Sequence, residues 1–270
     1  MWHIWRTEWR ISMRQRSFYA FFILWVVVNS LLFQLVKNVS SLSSYTNVTG
    51  TTVNLVLYMI PLFMLIIGSF TIANEMENGQ WKLLCTYPIS SFSYVIGKYG
   101  GQATAQLILF TMSFGTSMLI GLLFGIPLSL EWTVALFIFS VWLLLLFLLL
   151  GVSVGALVHT RWQALVSSVI VWFLLIIMWP SMIIAILSFV PYTWISPILK
   201  SILFFNPAEL LRVVFIVTLN GGSVFGQTYD TLIVSLSTPF GWTLLLVYTI
   251  IFSLLCLLVA SWKLERGRWQ

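Results

Sequence analysis

Six stretches without a charged side chain, residues 17–36, 38–74, 99–130, 132–160, 162–199 and 231–262, constrain this chain more than any other feature. A helix needs roughly 20 apolar residues, at 1.5 Å rise each, to cross a bilayer's hydrocarbon core. All six stretches are long enough, and the longest remaining gap, 213–229, has only 17 residues. Charged residues make up 7% of the 270 and apolar ones 60%, with a mean hydropathy of +1.02. A soluble globule is thereby excluded and an integral membrane protein expected. In lipid every backbone polar group must be satisfied internally, and these runs are too long and too unalternating for barrel strands. The expectation is an all-α, single-domain protein over 1–270 with six transmembrane helices.

Basic residues sort to the ends of these stretches unevenly. Arg6, Arg10, Arg14, Arg16, Lys82, Lys98, Arg161, Lys263, Arg266 and Arg268 fall on one side, and Lys37, Lys200 and Arg212 on the other. The basic side is the cytoplasmic one, so a multi-pass protein of the cell membrane with both termini in the cytoplasm is expected. The net charge of +6 is then an orientation signal, and no clustered basic surface points to nucleic acid. Cys85 and Cys256 read as free thiols, and His3 and His159 are too far apart to argue a metal site.

Ahead of the first stretch, Trp2, Trp5, Trp9 and Met13 share a helical face beside Arg6, Arg10 and Arg14. That is the pattern of an amphipathic elbow helix over 1–16 lying in the headgroup plane. No small-x-small cleavage site follows the apolar run, which argues against a secretory signal. Residues 37–54, rich in Ser, Thr and Asn, read as an external loop. Between the fifth and sixth spans, 191–239 reads as an external re-entrant region. There Asn206 suits a helix cap, Pro207 the first helical position, Glu209 a capping box and Asn220-Gly221 a stop, with Arg212 on the same helix. A helix of about 13 residues, near 20 Å, is too short to cross.

On the third span Gln102, Gln106, Ser113 and Ser117 fall within about 60° of one another at 100° per residue. Such a polar stripe should face the protein interior, either lining a pathway or making ordinary interhelical hydrogen bonds. The pairs Gly121/Gly125 and Gly151/Gly155 permit close helix approach, within one chain or between two copies.

The connection 74–98 is the most polar between two spans. Its expected build is a helix extension carrying Glu75 and Glu77, a break at Gly79, a short helix over Trp81 to Cys85, a turn at Pro88 and a new helix from Ser90. Trp81, Leu83, Leu84 and Tyr87 would then face water unless a partner covers them. The segment "EMENGQWKLLCTYPISSFSYVIGK" resembles the first cytoplasmic loop of permease subunits of type-2 ABC exporters, a family whose elbow helix and external re-entrant helices also match in order. "YPIS" and "NPAELLR" are most similar to the NosY-like permeases, a group associated with maturation of the multicopper enzyme nitrous-oxide reductase.

The resemblance implies a coupling helix, carried by Glu75, Glu77, Gly79, Trp81, Leu83, Leu84, Tyr87 and Pro88, docked on a separate ATP-binding cassette subunit. It also implies a second copy of the permease, an external accessory protein and a sulfur- or copper-related cargo; another exporter cargo such as a peptide, lipid or drug is the alternative. ATP and Mg would sit on the partner, because Gly97-Lys98 has Phe92 where a Walker A loop needs its first glycine and Tyr99 where it needs Ser or Thr. No cofactor and no catalytic constellation are expected in this chain. An ion-coupled carrier would need ionisable groups inside the spans, which the six stretches lack.

Overall fold

In the computed structural model residues 2–14, 16–39, 48–84, 86–87, 89–125, 130–219 and 239–267 are described. The middle of the expected external loop, Cys85, Pro88 and Asn220-Gly221 lie outside them. All regular structure among the described residues is helical: α1 (Trp2–Arg14), α2 (Arg16–Val39), α3 (Val48–Glu77), α4 (Gln80–Leu84), α5 (Ser91–Leu123), α6 (Leu130–Leu157), α7 (Arg161–Trp172), a π-helical segment (Phe173–Met178), α8 (Trp179–Ser188), α9 (Tyr192–Phe205), α10 (Pro207–Thr218) and α11 (Pro239–Arg266).

Gly50–Glu77, Ser91–Leu123, Leu130–Leu157, Arg161–Ser188 and Gly241–Arg266 are each long and apolar enough to span a membrane. They answer the second to sixth expected spans. The first falls on α2, a 24-residue helix whose apolar segment Tyr19–Leu31 is shorter. Pro197–Phe205 and Pro207–Thr218 meet at 112°, so they form either one broken span or a re-entrant pair.

Among the described helices α3 and α6 share the most extensive contact, and three glycines set their close approach. A Cβ on Gly151 would lie 2.6 Å from the Leu65 carbonyl oxygen, and Cβ atoms on Gly155 and Gly68 would run into the backbones of Ser69 and Leu148. One of the two anticipated small-residue pairs, Gly151/Gly155, is therefore a seam within the chain. Gly125 of the other ends α5 in a turn at φ +66°. Against the α3–α6 pair stand α7, whose Ser168 hydroxyl donates to Ser69 Oγ at 2.8 Å, and α11, whose Cys256 carbonyl accepts from Ser153 at 2.9 Å. Trp25 of α2, Phe63 of α3 and Phe110 of α5 meet edge to face at 5.6–5.9 Å and fill the space between their helices. Isoleucines, leucines and valines along α7–α8 and α11 remain outside this core, as lipid contact requires of helices at the rim of a bundle.

Candidate functional site

At one end of the bundle α3, α4 and α5 build a compact step. Gly79 adopts φ +70°, a conformation favoured by glycine, and so breaks α3 from the five-residue α4. Ser90 then caps α5 by accepting from the Ser93 N–H. The break, the short helix and the cap fall where the sequence places them. Trp81 does not: it is buried, with its ring 5.0 Å from that of Tyr94, in a cluster with Ile72, Val95, Val152, Ala156, Ala260 and Leu264. The expectation that Trp81 faces water is thus corrected. A five-residue helix has one inner side, and the largest apolar group takes it; Leu84 is partly buried, while Leu83 and Tyr87 are 68% and 61% exposed. Glu77, half exposed, accepts from the backbone N–H of Arg161 at 2.6 Å, placing a carboxylate at the amino end of α7.

Beneath this step lies a charge cluster that sequence reasoning missed. Lys98 Nζ donates to Glu8 Oε2 at 2.5 Å and also to Glu75, which in turn accepts from the Tyr94 hydroxyl. The cluster ties α1 to α3 and α5. α1 buries Glu8 and Ser12 against α5, sets Trp5 over Gly100 and leaves Trp2 exposed, so its polar edge takes part in the contact with the protein. Gly100 and Gly101 make the notch: a Cβ on Gly101 would lie 2.7 Å from the Trp5 carbonyl oxygen and from Glu8 Cβ. Desolvation raises the Glu8 carboxyl above its ordinary value, outweighing the attraction of Lys98. Two signals were available in the sequence, namely that Glu8 is the only acid before residue 75, and that Gly-Gly follows Lys98 by one residue.

The polar stripe of α5 divides in two. Gln102 accepts from Ser12, and Gln102 and Gln106 line a cavity of about 480 Å³ together with Glu8, Glu75 and Lys98. Ser113 instead donates within α5 to the Phe110 carbonyl, and Ser117 donates across to the Val26 carbonyl of α2 at 3.0 Å.

The bent pair α9–α10 is held by Asn206. Its Oδ1 accepts from Ala208 N–H at 3.0 Å, capping α10 with Pro207 at the first position, and its Nδ2 donates to the Leu175 carbonyl at 2.5 Å. Leu175 lies in the π-helical segment, where each carbonyl's partner is the N–H five residues on. For Leu175 that residue is Pro180, which has none. Asn206 supplies the missing donor. The expected capping box does not form: the Asn206 N–H donates to Leu203, and Glu209 pairs with Arg212 Nε at 3.1 Å. One helical turn sets Glu209 beside the Arg212 cation as an ion pair, without hydrogen-bond geometry at Nε.

The family model described as "ABC-2 family transporter protein" matches residues 2–263. The chain belongs to the ABC-2 transporter family. Among curated proteins it is similar to the "Probable ABC transporter permease protein NosY" of Stutzerimonas stutzeri, 26% identical over 234 residues that cover 84% of this chain and 85% of the relative. This ABC-2 protein is the permease subunit of an ABC transporter and a multi-pass membrane protein, and its family works with an ATP-binding subunit. In the ABC-2 permease the residues expected to couple (Glu75, Glu77, Gly79, Trp81, Leu83, Leu84, Tyr87) are brought together at one end of the bundle. Pro88 lies outside the described residues. Asn206, Pro207, Glu209 and Arg212 form a separate group on α10. Among the described residues no group of three or more His, Cys, Asp or Glu is arranged to hold a metal ion.

Proposed function

We propose that α4 is the coupling helix of this permease, that it lies on the cytoplasmic side with both termini, and that two copies of the chain form the translocation pathway. One observation carries the reading: α4 is a separate short helix, anchored through buried Trp81, with its Leu83 and, just beyond its end, Tyr87 exposed. Force applied there reaches α3 through Gly79, α5 through Tyr94, α7 through Glu77 and α1 through the Lys98 cluster. The elbow α1 thereby moves with the step. ATP and Mg belong to the partner subunit, since the chain lacks a Walker A loop. The likeness to NosY supports a NosY-like role in maturation of a multicopper enzyme, with an external accessory protein as a further partner.

Leu83→Asp tests the coupling role. In the reconstituted complex the variant should lower the permease's stimulation of ATP hydrolysis about 10-fold, the loss of one interface anchor worth about 1.4 kcal/mol, while the isolated ATP-binding subunit is unaffected. Full stimulation by Leu83→Asp would contradict the assignment.

A further inference from the structure

We propose that the cavity between α1, α2, α3 and α5 binds the ammonium headgroup of an ethanolamine phospholipid. Three observations on that cavity carry the proposal. Its polar end holds Glu8, Glu75 and Lys98, whose side chains are 9%, 16% and 7% exposed, so two carboxylates share one cation and one negative charge is left over. Gln106 is 4% exposed and also lines the cavity, and its Oε1 has no hydrogen-bond partner among the described residues; the same is true of Asn74 Oδ1. Buried acceptors of this kind cost about 1–3 kcal/mol each while unpaired. Part of the lining is apolar, formed by Phe21 of α2 and, on α3 a turn or more before Asn74 and Glu75, by Ile66, Ile67 and Phe70.

A surplus negative charge beside unpaired acceptors selects a cation that donates N–H bonds. A primary ammonium does both, with three donors, whereas a quaternary choline group carries the charge and donates nothing. At about 480 Å³ the space is far larger than a bare ion needs and falls in the range of roughly 300–1,000 Å³ typical of organic ligands. The apolar wall lies on helices in the membrane, so it offers a course for the start of an acyl chain. A soluble amine would have no use for that wall.

Native mass spectrometry of the delipidated full-length permease, offered equal amounts of dioleoyl phosphatidylethanolamine and dioleoyl phosphatidylcholine, tests this. The expected result is about 10-fold preferential retention of the ethanolamine lipid, equivalent to one buried acceptor satisfied. Gln106→Leu should bring the ratio close to one, and Ile67→Trp, which fills the apolar wall, should lower retention of the ethanolamine lipid; melting temperatures report whether each variant is folded. Equal retention of the two lipids by the native chain would overturn the proposal, as would a preference unchanged in both folded variants. A thermal shift from free ethanolamine as large as that from the lipid would likewise overturn it.

Discussion

Asn206 serves two helix ends with one carboxamide. Its oxygen caps α10, and its nitrogen closes the Leu175 carbonyl that Pro180 leaves without a donor. Asn206→Ala removes both bonds and should lower stability by about 1–3 kcal/mol, read as a fall in melting temperature in detergent. Asn206→Asp keeps the cap, loses the donor, and should fall between the two. An Ala variant that melts with the native protein would contradict this account. The cap was legible in "NPAE" because capping is local. Its second bond was not, because the partner lies 31 residues earlier and is exposed only by a π-helical turn that no local pattern announces. Trp81 taught the converse: composition marked the loop as too apolar for water, but which of its side chains turns inward depends on Tyr94 and Leu264, from other helices.

Among the elements, α1 carries the contact its sequence announces least. Its amphipathic pattern points to a face that meets lipid, and the structure adds a dock on α5 through Glu8 and Ser12, with Trp5 over Gly100. Lys98→Met would leave buried Glu8 and partly buried Glu75 without their cation, a change that costs about 3–5 kcal/mol for a fully buried pair and less here. Hydrogen exchange should then show α1 losing protection while the α3–α6 pair keeps it; equal protection in the variant would contradict the docking role. pH acts on the same contact. Because burial raises the Glu8 carboxyl above 4.5 in the docked state, the docked helix binds that proton more tightly than a released one. Docking is therefore strongest at pH values below the ordinary carboxylate range and weakens as pH rises through the raised value, with Lys98 and Glu75 as the facing charges. After correction for intrinsic exchange, α1 protection should fall as pH rises above the ordinary carboxylate range, and Glu8→Gln should flatten the dependence. Protection that increases with pH would contradict it.

For the whole molecule, charge-free intervals alone located the spans, because a charge inside hydrocarbon is costly enough to mark every boundary. Five of the six intervals correspond to helices that qualify as spans, and the remaining one, the first, falls on α2. The Glu8–Lys98–Glu75 cluster escaped notice because the same rule treats each charge as a terminus and not as a partner. The seam of Gly68, Gly151 and Gly155 likewise became an intrachain contact only once α3 and α6 were side by side. On the proposed mechanism α4 is a cytoplasmic projection that receives movement from the ATP-binding subunit. Leu83→Cys, in a chain whose Cys85 and Cys256 are replaced by Ser, tests it most directly. The account predicts that Leu83→Cys is modified by an impermeant thiol reagent only in inside-out vesicles and is shielded when the ATP-binding subunit is present. Modification from outside intact cells, or equal labelling with and without that subunit, would contradict it.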